Sequence, residues 1–365
     1  MDKYLKEAYK NKVVLVTGHT GFKGSWLTLW LSQLGAKVVG YSLEPPSKPS
    51  LFEVIGLEHK IAHVSGDVRD SINLNTIFRE YKPEYVFHLA AQSLVRFSYK
   101  EPKLTYETNA MGVVNVLEEV KKSRTVKSCI IVTSDKCYEN KNWFYGYRET
   151  DRLGGYDPYS SSKACAEHIT SAYRSSFFKP EEYSKTHHVA LSSARAGNAI
   201  GGGDWAEDRI IPDCIKALSQ DDIIVIRNPK ATRPWQYVLE PLSGYLLLGA
   251  FMQKEGAKYG APWNFGPNTG DILTVEELVK LVVEVWGGGR YEINTVFHPP
   301  ETGHLRLDPT KAQTLLGCRQ VYDMHEAIER TVRWYKAFYD EGDQRKLFDL
   351  TIKEINDFVH SWNSK

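Results

Sequence analysis

The most constraining stretch of this chain lies near its start. Lys12 to Thr17 (KVVLVT) is a short, mostly β-branched run that opens directly into Gly18-His19-Thr20-Gly21-Phe22-Lys23-Gly24. An apolar-periodic segment from Trp26 to Leu34 follows and stops at Gly35. This order predicts strand, glycine turn, helix. The spacing is G-x-x-G-x-x-G, and its physics is that of a dinucleotide turn. A turn without side chains lets a pyrophosphate sit against the N–H groups of a helix start, where the helix dipole favours it.

The pattern then repeats. Strands are predicted at Ala36 to Ser42, Ile61 to Val68, Tyr85 to Gln92, Lys127 to Thr133 and His187 to Ser193. Helical segments at Asn75 to Tyr81, Glu101 to Lys122 and from Asp157 or Pro158 past Tyr173 fall between them. A strand–helix alternation of roughly 25–30 residues predicts an α/β fold, a Rossmann-type doubly wound parallel sheet. Ligands in such sheets bind beyond the carboxyl ends of the strands, where Gly18, Asp67, Ala90, Ser134 and Arg195 all fall. After Arg195 the rhythm changes to short helices and aromatic loops, which predicts a smaller, mixed α/β carboxyl-terminal substrate-binding domain. Residues 1–194 are expected to form the dinucleotide domain, with a segment near 235–265 returning to it, and 195–365 mainly the substrate domain.

An acidic residue about 20 positions after the glycine turn would hold the adenosine ribose of NAD. Here Ser42-Leu43-Glu44 offers no acid at the strand end, so this stretch leaves NAD and NADP both open. Asp67 could accept a hydrogen bond from adenine. Ala90-Ala91 permits close backbone approach to a ligand.

Val132-Thr133-Ser134-Asp135-Lys136-Cys137-Tyr138 carries polar groups past a strand end, and Tyr159 and Lys163 stand four residues apart on a predicted helix. Positions i and i+4 share a face, so a phenol and an ammonium address one region, and the cation should draw the phenol below its usual value of about 10. By itself Tyr-x-x-x-Lys is also an ordinary amphipathic turn. It gains weight from the hydroxyl, carboxyl and amine at 134–136.

Bulk properties exclude other classes. Lys+Arg 46 against Asp+Glu 45 leaves a net charge of +1, and no basic stretch with interleaved aromatics suggests nucleic acid. The charged amino terminus lacks the apolar stretch of a signal peptide, and no apolar run approaches the roughly 20 residues of a membrane span. The five cysteines are scattered without a Cys-x-x-Cys pair, which predicts a reducing, cytoplasmic setting with no disulfide framework. The histidines show no metal-ligand spacing, and no metal is expected.

Taken together, Gly18-x-x-Gly21-x-x-Gly24, Asp67-Val68, Leu89-Ala90-Ala91, Asn109, Ser134, Tyr159-x-x-x-Lys163 and Arg195-x-Gly197-Asn198 resemble the extended short-chain dehydrogenase/reductase superfamily over nearly the whole chain. Within it the chain looks like the sugar-nucleotide 4,6-dehydratases, nearest to the branch that takes CDP-glucose. The narrower likeness rests on 18–26, 132–138, Gly201-Gly202-Gly203-Asp204-Trp205, Arg233 to Val238 and Glu301-Thr302-Gly303-His304-Leu305-Arg306.

The resemblance implies an NAD retained and regenerated in each turnover. It would be held by Gly18, His19, Thr20, Gly21, Phe22 and Gly24 of the turn, by Asp67, Val68, Leu89, Ala90, Ala91 and Thr108, and by Tyr159 and Lys163. It implies Tyr159 as base at the sugar 4-hydroxyl, Ser134 on the 4-oxygen, and a protonated, poorly solvated Asp135 as acid at the 6-hydroxyl. The dTDP-glucose enzymes carry Glu where this chain has Lys136, so Lys136 is either the C5 base or a charged stabiliser of the enolate. Gln92, Arg195, Asn198, Arg209, Arg233 and Arg306 are the expected substrate contacts, the last three on its pyrophosphate, with Arg233 and Arg306 ahead of Arg209. A homodimer or homotetramer is implied, through the 101–122 and 157–177 helices. A 4-epimerase has no use for Asp135-Lys136, and a non-catalytic cofactor sensor has no need of Tyr159 and Lys163.

Overall fold

The computed structural model describes residues 1–268, 273–294, 305–340 and 342–365. Among the described residues eleven strands are formed in chain order: β1 (Val13–Thr17), β2 (Lys37–Ser42), β3 (Ala62–Ser65), β4 (Tyr85–His88), β5 (Ser128–Val132), β6 (Ala190–Ala196), β7 (Ala199–Ile200), β8 (Ile223–Ile226), β9 (Gln236–Tyr237), β10 (Pro262–Phe265) and β11 (Arg290–Ile293). Seven make one sheet in the order β10-β6-β5-β4-β1-β2-β3, with every neighbouring pair parallel. The chain reverses its direction of travel between β1 and β4, so the loops leaving those strands part and open a crevice there.

The strands read as near-continuous apolar runs because both faces of the sheet are covered. Side chains of alternate residues point to opposite faces. Val14, Val16 and Ile130 therefore join Trp26, Trp30 and Leu246 in one core, while Leu15, Cys129 and Ile131 join Val113, Val116 and Leu117 in the other. β7 pairs with β9 and β8 with β11, both parallel, as small sheets of the carboxyl-terminal half. Helix Leu239–Glu255 returns to the large sheet, where the Tyr9 hydroxyl donates to Leu246 O at 2.7 Å, and β10 then adds its seventh strand beside β6. Among the described residues no helix is long and apolar enough to cross a membrane.

Several elements differ from their sequence-based boundaries for local reasons. β3 stops at Ser65, because Asp67 turns the chain by accepting from Arg69 N at 2.9 Å and Asp70 then caps helix Ser71–Tyr81. The predicted helix 101–122 contains one π turn, Glu107–Met111, between α-helical Pro102–Tyr106 and Gly112–Lys122. Asn109 sits in that turn, and its side chain leaves the helix to bond Gln92 N, Gln92 O and Ser162 Oγ at 2.8–2.9 Å. β6 runs on to Ala196, which places Arg195 in the sheet rather than beyond it. A helix at Asp2–Tyr9 precedes β1; its charge masks it, but Leu5 and Tyr9 are buried.

Candidate active site

The glycine turn is shaped by close backbone approach. Gly18 has φ +76°, and a Cβ on it would lie 2.6 Å from Ala90 N. A Cβ on Gly24 would lie 2.0 Å from Gly18 O, so helix Phe22–Gln33 can begin this close to β1 only with glycine there. Gly21 is the N-cap and supplies no side-chain cap, which leaves the N–H groups of the first turn facing the crevice. Leu89, Ala90 and Ala91 form the opposite wall beyond β4, with Ala90 N on Thr17 Oγ1 at 3.3 Å. Phe22 and Thr108 are half-buried at the same end. With side chains barred at Gly18 and Gly24, the turn packs close to Ala90 and the helix start, and this cradle fits a dinucleotide pyrophosphate.

Not every residue expected at that cofactor faces it. The His19 ring is fully buried behind the turn, edge-on to Phe52 and bonded to His63 Nδ1 at 2.7 Å. Burial, then the second imidazole, lowers His19 to about 3, so it is neutral packing and can bring only its backbone to a ligand. Thr20 bonds Ser42 Oγ and Leu43 O, both at 2.9 Å, and this hydroxyl pair occupies the place where an acidic residue was sought. Both Asp67 carboxylate oxygens already accept from Arg69, which competes with adenine for them. Val68, at 4% exposed, gives an apolar wall beside Gly112.

The residues expected to react come from two elements. Ser134, Asp135 and Lys136 form a tight turn at the end of β5, with Ser134 Oγ accepting from Lys136 N at 3.2 Å and donating to Asp135 Oδ1 at 2.8 Å. Asp135 is 2% exposed and its Oδ2 has no hydrogen-bond partner, so the expected poor solvation is present. Helix Pro158–Ser176 is capped by Asp157, with Pro158 at its first position, and carries Tyr159 and Lys163 on one buried face. Tyr159 lies within electrostatic reach of both Ser134 and Asp135, so phenol, hydroxyl and carboxyl open onto one cleft.

The electrostatics correct the expectation for this pair. Burial pushes the Tyr159 phenol up to about 12, with Ser134 and Arg209 only partly opposing it. The Lys163 amine points to Val132 O at 3.4 Å and is itself lowered to about 8, by burial and then by Lys23. The cation that crowds Lys163 is Lys23, from the glycine turn.

Lys23 is the residue that sequence reasoning overlooked. It leaves the glycine turn, reaches Gly197 O at 3.4 Å, and lies among Arg209, Asp135, Asp204 and Lys163. Burial and then Arg209 lower its amine to about 8. The only local signal was a lysine between Phe22 and Gly24 of the glycine turn. Tyr245, on the returning helix, also lies under the site with a buried hydroxyl lacking a partner, its phenol raised by burial and by Asp135.

The expected substrate contacts separate. Arg209 bonds Asp204 at 2.8 Å and Ser93 Oγ at 3.3 Å, and its charge reaches both Tyr159 and Lys23. It thus stands nearer the reacting groups than its ranking predicts. Arg233 is 9% exposed and donates to Thr232 O, while Arg306 donates to Phe144 O at 3.5 Å with a buried, unpartnered Nε. Asn198 is half-buried, its carbonyl accepting from Gln236 N. Gly197 abuts the acid: a Cβ there would lie 3.4 Å from Asp135 Oδ2.

Two of the expected contacts are turned away from the cleft. Gln92 spends its side chain on Thr105 Oγ1 and Leu94 N, tying down its own loop. Arg195, on β6 and 2% exposed, is locked to Glu167 at 2.7 Å, because a strand side chain pointing into the sheet's cover needs a buried counter-charge. Glu301 to His304 lie outside the described residues. Among the described residues no group of three or more His, Cys, Asp or Glu could hold a metal ion.

Removal of the Lys23 charge has a signed consequence. Lys23→Met relieves Lys163 of a repelling cation, so Lys163 stays protonated to higher pH. The basic limb of the kcat/KM profile should move up by on the order of one pH unit. Lys23→Arg should leave that limb in place, and an unmoved limb in Lys23→Met would show that another group sets it.

The model of the family described as GDP-mannose 4,6 dehydratase matches residues 15–331. The CDP-glucose 4,6-dehydratase of Salmonella typhimurium (strain LT2) is 48% identical over 355 residues, covering 97% of this chain and 98% of that protein. Among solved structures, the epimerase Mth375 of Methanothermobacter thermautotrophicus aligns with TM-score 0.77 at 24% identity, over 93% of this chain and 96% of that one. A dTDP-glucose 4,6-dehydratase of Streptomyces venezuelae, solved with NAD bound, aligns with TM-score 0.75 at 22% identity, over 89% and 97%. At such identities these structures establish a common fold. The family model and the 48% relative go further: the chain belongs to the GDP-mannose 4,6 dehydratase family.

Proposed function

We propose that the protein is a hydro-lyase that converts CDP-glucose to CDP-4-keto-6-deoxyglucose. The observation carrying this reading is the likeness to the Salmonella enzyme over practically the full length of both chains, joined to one cleft that holds Tyr159, Ser134 and Asp135 together. Gly18, Gly21 and Gly24 would hold NAD by its pyrophosphate, and the bound cofactor would supply a hydride acceptor for C4, a hydride donor for C6 and a positive charge beside the cleft.

The chain's own groups move the protons. Tyr159 takes the proton of the 4-hydroxyl, and Ser134, beside that phenol, holds the 4-oxygen. A phenol at about 12 is a poor base in the chain alone, so its activation depends on the cations that gather once the cleft is filled. Lys163 supports the phenolate from four residues away on the same helix face. The ketone formed at C4 acidifies the C5 proton, which is assigned to Lys136, next to Asp135 on the same turn. Asp135 gives its proton to the departing 6-hydroxyl and water leaves; as hydride is restored to C6, Lys136 returns the proton to C5. Arg209, Arg233 and Arg306 are assigned to the substrate pyrophosphate, where a guanidinium fork matches phosphate geometry. Asn198 lines the sugar.

The cytoplasm is the proposed compartment, and a keto-deoxysugar feeding O-antigen and lipopolysaccharide synthesis the proposed use. Self-association as a homodimer or homotetramer is supported by the exposed Tyr99, Met111 and Phe177 on the helices around 95–122 and 158–177. The test is incubation of the purified protein with CDP-, dTDP-, UDP- and GDP-glucose, followed by mass. Loss of one water from CDP-glucose alone is the expected result; isomerisation without loss of mass would replace the dehydratase by an epimerase.

A further inference from the structure

We infer that Glu167 and Arg195 form a buried strut that fixes the Ser134–Cys137 turn on the Tyr159–Lys163 helix, and so set the acid of the dehydration against the base of the oxidation. This rests on the reaction proposed above. Neither residue touches the cleft; both are positioning residues.

The geometry is specific to that task. Glu167 follows Lys163 by one helical turn and Tyr159 by two, on the same buried face. Its Oε1 accepts from Thr133 Oγ1 at 2.5 Å, and its Oε2 accepts from Ser193 Oγ and from Arg195 Nη2, both at 2.7 Å. Arg195 in turn donates from Nη1 to the Tyr138 hydroxyl at 2.6 Å and to Glu149 O at 3.1 Å, with its guanidinium 4.9 Å from the centre of the Tyr138 ring. The Tyr138 hydroxyl passes the chain of bonds to Asn264 Oδ1 at 2.7 Å, on β10. Thr133 and Tyr138 are the residues immediately outside the catalytic turn. One member of the pair therefore holds the turn's entrance and the other its exit, and both ends are tied to the helix that carries Tyr159.

A buried ion pair of this kind is weak evidence for stability, because desolvation offsets most of the attraction. What it supplies is registry between two elements. Tyr159 and Lys163 ride on the helix, whereas Asp135 rides on the turn. The turn must place Asp135 at C6 of the same sugar whose C4 faces Tyr159. Displacements of about 1 Å in such an arrangement cost on the order of a hundredfold in rate. Loosening the strut should slow water elimination more than C4 oxidation.

The experiment uses Thr133→Val and Glu167→Gln in the NAD-loaded enzyme, followed by kcat, KM for CDP-glucose, melting temperature and absorbance at 340 nm during turnover. Thr133→Val removes the hydroxyl's contacts to Glu167 Oε1 and Ala194 O but leaves Glu167 paired with Arg195, so it carries the test even where Glu167→Gln fails to fold. The expected result for Thr133→Val is a kcat about ten- to a hundredfold lower. KM should be little changed, and 340 nm absorbance absent from wild type should build up. An unchanged kcat, or a fall in kcat without that build-up, overturns the inference. Wild-type enzyme that leaves CDP-glucose untouched overturns the reaction itself, a result separate from either outcome in the variants.

Discussion

Exchange of Asp135 for asparagine is expected to lower conversion of CDP-glucose by about 10²–10⁴-fold, the usual worth of a positioned general acid. The side chain is 2% exposed, accepts from Ser134 Oγ at 2.8 Å, and presents an unpartnered Oδ2 toward Gly197. Asparagine has the same shape and can keep the bond from Ser134, so the fold and the Tyr159 side of the cleft should survive. What it lacks is a proton that a leaving hydroxyl can take. Oxidation at C4 needs only Tyr159, Ser134 and Lys163, and should proceed. In a single turnover the 340 nm absorbance should therefore rise toward one equivalent and persist, with no loss of 18 mass units from the sugar nucleotide. Near-wild-type turnover by Asp135→Asn would remove Asp135 from the acid's role and open it to Lys23 or Tyr245, which also approach the site.

The fold was legible in the chain because its signals are local. A strand emptying into glycines before an apolar-periodic helix, repeated with short gaps, leaves few alternatives to a parallel sheet. Asp157-Pro158 marked a helix start by cap chemistry alone, and the structure uses both residues that way. Tyr159 with Lys163 and the run Ser134-Asp135 were recognisable because spacing on one helix face and position at a strand end are themselves geometric statements. What stayed hidden depends on partners far along the sequence. Arg195 looked like a cleft residue until β6 proved to run through it, which turned its side chain onto Glu167. Lys23 looked incidental until its amine was found against Gly197, 174 residues away. Gln92 and His19 carry polar groups suited to a ligand, and only their neighbours Thr105, Leu94 and His63 show those groups to be taken. The phenol's raised pKa was equally invisible, since a motif names a nearby cation but says nothing of burial.

Tyr159→Phe should fail at an earlier point, and the contrast is diagnostic. In the proposed reaction the phenol, within electrostatic reach of Ser134 and Asp135, takes the proton of the 4-hydroxyl as C4 is oxidised. Without its oxygen no side chain on that helix face can take the proton: Lys163 is pointed at Val132 O, 3.4 Å away. A fall of about 10³-fold or more in kcat is expected, at the upper end for a single general base, with KM moved little because the ring still fills its place. No 340 nm absorbance should develop, even in a single turnover with excess CDP-glucose. The order of the two groups then makes a further demand. If Tyr159 acts before Asp135, the double variant should be no slower than Tyr159→Phe alone, since a step that is never reached cannot be slowed further. Rate losses that simply multiply, or a Tyr159→Phe enzyme that accumulates 340 nm absorbance as Asp135→Asn does, would mean that the phenol serves the elimination and that the 4-hydroxyl gives its proton elsewhere.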